Sequence, residues 1–427
     1  MNMDVVTADV IGDIALVLGA SSLLGALARR IGQPTVVGQI AAGIILGPSL
    51  LGRLPGNPTA HLLSREAIPF ISVIAQIAVV IFMFAVGYEI DLRSVRSHRR
   101  PVLLIAVGAM VIPLALGAGI ALGVQHLGAF DGQHASGRSF VLFFGVATSI
   151  TALPVLAAII GERGIAGTPV GDIATAAAGL MDVSAWLVLA AALIGTDAAG
   201  SRSWLEMVVL LAGFVAVMIF VVRPVLKWWI QRPGAVVSSQ IPVALVLAAA
   251  GAWATASLGL HPIFGAFVAG LVMPKPEGAP DADVLRSMEQ TGGLLLPLFF
   301  VVTGLTTNIG TLSGPDVALL AVILVCGIGG KAAAGYAMAR LGGLDTGQSA
   351  MIGALVNTRG LTELIALNVG LSAGIIGGRL FTVLVLMALI TTAMTGPLIT
   401  VIDRRRKVVP APSVPDPASA PGALDYS

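Results

Sequence analysis

The sequence predicts an all-helical protein that crosses a membrane many times. Of its 427 residues, 56% are hydrophobic and only 11% are charged, and the mean hydropathy is +0.96. Since charged residues make up about a quarter of a soluble globular domain, the composition indicates an integral membrane protein. Aromatic residues account for 5% of the chain and glycine occurs 52 times, which favours closely packed helices over a lipid-facing barrel with aromatic girdles.

About thirteen apolar runs are long enough to cross a bilayer as helices, because about 20 residues span its hydrocarbon core. The first run is expected to remain as a transmembrane helix, since the N-terminus lacks the basic region of a secretory signal. The expected spans lie near residues 11–28, 34–52, 67–88, 101–124, 139–161, 171–194, 204–230, 241–259, 261–274, 292–311, 316–341, 348–373 and 379–402.

Lysine and arginine are unequally divided between the two sides of this topology. The loops on the side of the C-terminus hold most of them, whereas the opposite loops hold only Arg53, Arg65, Arg138, Arg202 and Arg379. Because cytoplasmic loops collect positive charge, the N-terminus is expected outside and the C-terminus in the cytoplasm. The expected location is the plasma or inner membrane, with the bilayer as the surrounding partner.

The chain repeats part of its own sequence. QPTVVGQIAAGIILGP at 33–48 is echoed by HPIFGAFVAGLVMP at 261–274, and IFMFAVGYEIDL at 81–92 is echoed by LFFVVTGLTTNI at 298–309. Six helices return the chain to the side of the membrane where it began. A single linking helix then crosses the membrane, so the second half starts from the opposite face. The sequence therefore predicts two inverted six-helix repeats, a common plan of secondary transporters.

The predicted membrane domain covers residues 1–402. Its repeats lie near 10–194 and 241–402, and the linker helix lies near 204–230. Residues 403–427 are rich in proline and alanine, a composition that predicts a disordered cytoplasmic tail.

Such repeats place interrupted helices at matching positions of the two halves. In the first half the centre of the segment 143–160 contains Thr148, Ser149, Thr151 and Pro154, and Ile150 lies within the predicted break. In the second half the centre of the segment 351–370 consists of Asn357, Thr358, Arg359, Gly360, Thr362 and Glu363. Proline removes a backbone donor and glycine weakens a helix, so both segments are predicted to unwind and cross near the midplane. Freed carbonyls and helix ends would then bind a small ion. The alternative is that Pro154 only kinks a continuous helix.

Asp182 lies near the middle of the apolar span 171–194, where a carboxylate costs about 2.5 to 3.5 kcal/mol on insertion scales. Small neighbours on its helical face, such as Gly179, allow another backbone to approach, so Asp182 is expected to meet Ser149 and Thr151. We predict that it holds either a monovalent cation or a proton there, with hydroxyls and carbonyls completing the site. The alternatives are a neutral structural acid and a permanent salt-bridge partner.

Three further polar side chains lie within apolar spans. Lys331 is predicted either to compensate broken helix ends or to take part directly in transport by neutralising Asp182 or competing with the cation. Arg359, which is always protonated, is expected to order the crossing together with Glu363 one turn on. Gln76 is predicted either to line an ion path or to form an interhelical hydrogen bond.

The sequence has no phosphate-cradling GxxxxGK[ST] loop, haem attachment motif or soluble catalytic domain. No cofactor, catalytic residue, enzymatic activity or nucleic-acid partner is therefore expected. The expected energy source is an ion gradient.

Four segments together resemble a known family: TSITALPVLAAII, LMDVSAW, PLFFVVTGLTTNI and ALVNTRGLTELIALNVGL. They are similar to the monovalent cation/proton antiporter-2 family, in particular to its branch of plant cation/proton exchangers and related bacterial Na⁺(K⁺)/H⁺ antiporters. The similarity covers about residues 10–402. Many relatives also carry a large cytoplasmic regulatory domain, and regulation through such a domain is not expected for this chain.

The resemblance implies a homodimer in which a fixed scaffold holds a moving core. It implies that Asp182 binds the ion, that Lys331 matches the family's embedded lysine, and that an elevator-like displacement exposes Asp182 alternately to each side. One position departs from the family, which usually has Asn or Asp before the key acid, whereas this chain has Met181. The site therefore has one fewer polar ligand.

The function predicted from these observations is the exchange of Na⁺ or K⁺ for protons. An ion-coupled symporter of a small organic anion on the same fold is the first alternative. A channel or sensor that has lost coupling is the second.

Overall fold

The computed structural model describes residues 3–89, 98–126, 137–165, 167–193, 204–230, 240–275 and 279–407. Within these ranges every regular element is helical, which confirms the predicted fold class. Part of the predicted tail, residues 408–427, lies outside the described residues.

The first half of the chain forms eight α-helices: α1 (Met3–Arg30), α2 (Thr35–Leu46), α3 (Pro58–Leu62), α4 (Ile68–Glu89), α5 (Arg99–His126), α6 (Gly137–Ser149), α7 (Leu153–Glu162) and α8 (Pro169–Leu193). The linker helix consists of α9 (Trp204–Val217), a π-helical turn (Met218–Val222) and α10 (Arg223–Ile230). The second half forms α11 (Gln240–Ser257), α12 (Pro262–Val272), α13 (Ala282–Thr306), α14 (Gly314–Leu324), a π-helical turn (Val325–Gly329), α15 (Gly330–Leu341), α16 (Thr346–Leu355), α17 (Leu361–Ser372) and α18 (Gly378–Lys407).

Side-chain caps fix where several of these helices begin. Asp281 accepts hydrogen bonds from the backbone N–H groups of Asp283 and Val284 at the start of α13. The predicted span began only near residue 292, because the preceding turns carry charged residues, but the cap starts the helix ten residues earlier. Asp345 and Gln348 form a capping box at the start of α16, satisfying two backbone donors that have no partner within the helix.

Ten helical segments in the described ranges are long and apolar enough to cross a membrane. The predicted total of about thirteen requires three further crossings, by the short helix α12 and by the interrupted pairs α6–α7 and α16–α17. That total stays a prediction.

The helices pack mainly within two bundles. Bundle 1 contains α1, α2, α4, α11, α12 and α13, and bundle 2 contains α5–α8 and α14–α18. Equivalent helices of the two halves pack alike: α1 against α2 and α11 against α12 in bundle 1, and α5 against α6 and α15 against α16 in bundle 2. This correspondence supports the predicted repeats, whose inverted relation stays a prediction.

Glycines of the repeated motif allow helices of bundle 1 to touch through their backbones. A Cβ atom at Gly270 of α12 would lie 2.1 Å from the carbonyl oxygen of Phe84 in α4. A Cβ atom at Gly43 of α2 would lie 2.2 Å from the carbonyl oxygen of Val301 in α13. The motif therefore recurs because α2 and α12 each need a residue without a side chain at a helix crossing.

We predict that Gly270→Ala lowers the thermal stability of the detergent-solubilised protein, because the added methyl group would separate α12 from α4. Overpacking of this kind costs about 1–3 kcal/mol. Gly293→Ala is the matched control, since a Cβ atom there meets nothing within 4 Å and alanine favours the helix. Equal melting temperatures for the two variants would contradict this account of the crossing.

Candidate functional site

Both predicted helix interruptions are present. Residues 150–152 separate α6 from α7, and residues 356–360 separate α16 from α17. The break in the first half lies before Pro154, so the alternative of a continuous helix kinked by this proline is wrong.

The two breaks are bonded directly to each other. The backbone N–H of Ala152 donates to the carbonyl oxygen of Thr358 over 3.0 Å. The hydroxyl of Thr151 donates to the carbonyl oxygen of Val356, also over 3.0 Å. The crossing is therefore a hydrogen-bonded junction. Each break binds a backbone group that has lost its helical hydrogen bond in the other break.

Gly360 allows the breaks to approach this closely. A Cβ atom at this position would lie 2.6 Å from Cγ2 of Val155 and 3.3 Å from Cβ of Ala152. The glycine is thus required for space at the junction, where α17 begins against the start of α7.

Lys331 binds the end of α6 although it belongs to α15. Its side chain is 0% exposed, and its ammonium group donates to the carbonyl oxygens of Ser149 and Ile150, the latter over 2.5 Å. These carbonyls lie past the last helical hydrogen bond of α6, at the negative end of the helix dipole. Of the two predicted roles, the observed contacts are those of a cation that compensates a broken helix end.

Arg359 binds the two preceding carbonyls of the same helix. Its guanidinium donates to Ala147 over 2.9 Å and to Thr148 over 2.5 Å, and it forms a 2.7 Å ion pair with Glu363. Both side chains of the pair are 0% exposed. Four successive carbonyls at the end of α6 are thus bound by two buried cations, one of them from the opposite break.

Asp182 lies beside this junction without a direct partner. It is 1% exposed, and neither carboxylate oxygen forms a hydrogen bond within the described part of the chain. Its electrostatic neighbours are the backbone N–H of Leu153 and the side chains of Lys331 and Glu89. A Cβ atom at Gly179, one turn earlier on α8, would meet only open space. Asp182 is therefore a buried acid without a bonded partner, on a helix that has room for a side chain at Gly179.

The hydroxyls predicted to join Asp182 are bonded elsewhere in this conformation. Ser149 donates to the carbonyl of Val146 over 3.0 Å, and Thr151 donates to the opposite break. The sulfur of Met181 lies 3.9 Å from the hydroxyl of Thr151. The structure brings both hydroxyls to the junction but not to Asp182, and their role as ligands stays a prediction.

Two other hydroxyls of the junction form hydrogen bonds to backbone carbonyls three residues earlier in the chain. The hydroxyl of Thr358 donates to the carbonyl of Leu355, and that of Thr148 donates to Gly145 over 2.9 Å. Asn357 is 1% exposed and its amide oxygen has no partner in the described ranges. The side chain of Pro154 lies outside what the structure describes.

Gln76 lies in α4, in bundle 1, and not within the broken segments. Its amide nitrogen is buried and has no hydrogen-bond partner among the described residues. The interhelical bond that was one of its two predicted roles is therefore not formed by this nitrogen.

Sequence reasoning missed two residues that act on the site. Glu89 ends α4 and is an electrostatic neighbour of Asp182, Lys275 and Glu289. The hydroxyl of Thr392 in α18 donates to the backbone carbonyl of Arg359 over 3.1 Å and so binds the second break to α18. An acidic residue at the end of an otherwise apolar run was the available signal for Glu89.

We predict that Arg359→Ala destabilises the protein more than Glu363→Ala. The first change leaves a buried carboxylate unpaired and frees two carbonyls of α6, whereas the second leaves Arg359 still bound to those carbonyls. Removing one partner of a buried pair costs about 3–5 kcal/mol. The double variant should lose less stability than the sum of the single losses, as measured by thermal unfolding of purified protein. Strict additivity would contradict a coupled pair.

Comparisons with known proteins agree with this architecture. The family model described as "Sodium/hydrogen exchanger, transmembrane" matches residues 18–403. The chain is 35% identical over 401 residues to Cation/H(+) antiporter 20 of Arabidopsis thaliana, an alignment that covers 91% of the chain and 48% of the plant protein. It is 32% identical over 408 residues to the Na(+)/H(+) antiporter NhaS4 of Synechocystis, covering 95% of the chain and 98% of that protein. The chain thus spans about half the length of the plant relative and nearly all of NhaS4.

A solved structure has the same fold. The sodium proton antiporter MjNhaP1 from Methanocaldococcus jannaschii superposes with a TM-score of 0.67 over 94% of this chain and 98% of that chain, at 16% sequence identity. The region matched by the family model, residues 18–403, contains both breaks, Asp182 and Lys331. This multi-pass membrane protein belongs to the sodium/hydrogen exchanger family.

Proposed function

We propose that the protein exchanges a monovalent cation, Na⁺ or K⁺, for protons, with Asp182 as the shared binding group. The observation that carries this proposal is the state of Asp182, a carboxylate that is 1% exposed and has no hydrogen bond or salt bridge in the described part of the chain. A charged carboxylate in such surroundings is costly unless a ligand neutralises it. A proton and a small cation both do so.

Mutually exclusive occupancy converts this acid into an exchanger. A cation that binds the carboxylate must displace the proton, and a proton that returns must displace the cation. Because either occupant neutralises the charge, the loaded site can pass through a low-dielectric barrier that the empty charged site crosses only at high cost. Coupling of the two fluxes follows without any further chemical step.

Lys331 and Arg359 leave Asp182 free to bind a cation or a proton, because both have other partners. Both are bound to carbonyls of α6, and Arg359 is also paired with Glu363. Neither forms a salt bridge with Asp182 in the described ranges, so the acid has no permanent counterion. The further oxygens for a bound cation would come from Ser149, Thr151 and the amide of Asn357, after local rearrangement of the hydroxyls.

The two bundles suggest how the site changes its exposure. Asp182 and both breaks lie in bundle 2, whereas the motif glycines lock bundle 1 through backbone contacts. We infer that bundle 2 moves as a unit against bundle 1, in an elevator-type displacement, and that bundle 1 is the scaffold of a homodimer. We infer that the protein lies in a plasma or inner membrane, with the N-terminus outside and the C-terminus in the cytoplasm, and the excess of Lys and Arg in the loops on the C-terminal side supports this orientation.

The names of the relatives support a cation/proton exchanger over the symporter. One relative is named for cation/H⁺ exchange and another for Na⁺/H⁺ exchange. No described contact around Asp182 provides a second cationic site for an organic anion, since both buried cations are bound to α6.

We predict that Asp182→Asn abolishes cation-driven proton flux in proteoliposomes containing a pH dye, while the protein stays folded. An amide cannot exchange a proton for a cation, so both directions should be lost. Asp172→Asn is the matched control, because Asp172 lies on the same helix but is exposed. Full activity of Asp182→Asn would sink the proposal, as would proton flux that requires an added organic anion.

We predict that Lys331→Ala lowers thermal stability, because it leaves two buried carbonyls unpaired at about 1–3 kcal/mol each. Transport by any folded fraction should show a changed dependence on membrane voltage, since the variant loses one buried charge. Parallel measurements of melting temperature and of flux under clamped voltage test both effects. An unchanged melting temperature would show that the lysine does not hold the end of α6.

A further inference from the structure

An apolar groove lies where the two bundles meet the linker helix. Its narrow part encloses about 170 Å³ between α8, the linker and α12, and a wider part of about 510 Å³ continues between α8 and the linker. The two parts share lining residues on α8 and on the linker, namely Leu187, Leu211, Val215 and Ile219. Apolar cavities of about 150 Å³ stay dry and take up an apolar molecule of benzene size.

The floor of the groove is aromatic and joins the bundles. Trp186 of α8 contacts Phe264 and Phe267 of α12, with ring centroids 6.0 and 6.4 Å apart. The open side of the groove carries exposed apolar side chains, with Leu187 62% and Phe220 77% exposed. In a membrane protein such a surface faces acyl chains, so the groove opens directly to lipid.

The same strip of the linker helix ends in positive charge. Ile219 lines the groove, and Arg223 and Lys227 follow at intervals of four residues, which places them in line along one side of the helix. Arg223 lies roughly one turn and Lys227 roughly two turns further along the helix than Ile219. Both are exposed, and neither forms a salt bridge within the described residues.

Aromatic residues mark the level of the membrane surface at this end of the linker. Trp228 and Trp229 adjoin Lys227 and are 58% and 40% exposed. Exposed tryptophans of membrane helices are typical of the headgroup region. The cations of α10 therefore lie at the depth of lipid phosphates, while the groove one to two turns away lies at the depth of the acyl chains.

We propose that this groove is a binding site for one anionic phospholipid. An acyl chain occupies the space between Trp186, Val215 and Phe267, and the phosphate is bound by Arg223 and Lys227. A zwitterionic lipid fills the same apolar space but gains less from the two cations. The lipid contacts α8, which carries Asp182, and α12 of bundle 1, so it bridges the two bundles beside the ion site.

The site can be tested by photolabelling the purified full-length protein. The probes are phosphatidylglycerol and phosphatidylcholine with identical photoactivatable acyl chains, and labelled peptides are mapped by mass spectrometry. We expect phosphatidylglycerol to label peptides of α8, α9 and α12 in preference to phosphatidylcholine. Unlabelled phosphatidylglycerol should compete, whereas inorganic phosphate should not.

Two sets of variants separate the headgroup from the chain. Arg223→Ala with Lys227→Ala should weaken phosphatidylglycerol labelling by about five-fold for each charge removed. Arg29→Ala with Arg30→Ala, which removes two exposed cations from the end of α1, is the matched control and should leave labelling unchanged. Ala216→Phe, which fills the wide part of the groove, should reduce labelling by both lipids, whereas Val217→Phe on the neighbouring position should not.

Three outcomes would overturn the proposal. These are equal labelling by the two lipids, labelling that maps outside the groove, and disulfide formation between two copies through Ala212→Cys, which would show that a second chain covers this face. Because labelling does not depend on transport, loss of exchange by an Asp182 variant leaves this test intact.

Discussion

The fold around the site depends on how the broken end of α6 is neutralised. The carbonyls of residues 147–150 have no helical partners, and an unsatisfied backbone group in the membrane interior costs several kcal/mol. Lys331 and Arg359 bind all four carbonyls with fully buried side chains. Since Lys331 comes from α15 and Arg359 from the second break, the same bonds fasten three segments together. The interruption is stable only because these cations lie at the negative end of α6.

The position of Asp182 follows from this arrangement. Both nearby cations are bound to carbonyls, and among the described residues the carboxylate of Asp182 on α8 has no bonded partner, so we propose that a mobile ligand neutralises it. The residues that hold the structure and the residue proposed to bind the ion are thus distinct, although they lie within one cluster. Under the proposed exchange, this separation would allow the ligand of Asp182 to change while the crossing of the two breaks stays intact.

The sequence predicted the features that depend on local chemistry. Proline, glycine and polar residues at matching places indicated both breaks, and the four-residue spacing of Arg359 and Glu363 indicated their pairing. The partners of Lys331 were beyond reach, because the carbonyl of Ser149 lies 182 residues away along the chain. The hydroxyls of Ser149 and Thr151 were expected at Asp182, but nearer backbone carbonyls bind them. Glu89 is an electrostatic neighbour of Asp182 only through the folded arrangement of α4 and α8, which no spacing within one helix reveals.

If the carboxylate of Asp182 holds either a cation or a proton, cation binding must release protons. This release can be followed with a pH dye when Na⁺ or K⁺ is added to the purified protein in weakly buffered detergent solution, alongside calorimetric titration of cation binding. We expect each bound cation to release a proton and the affinity for the cation to fall as the pH falls. Cation binding that releases no proton and does not depend on pH would rule out a shared carboxylate.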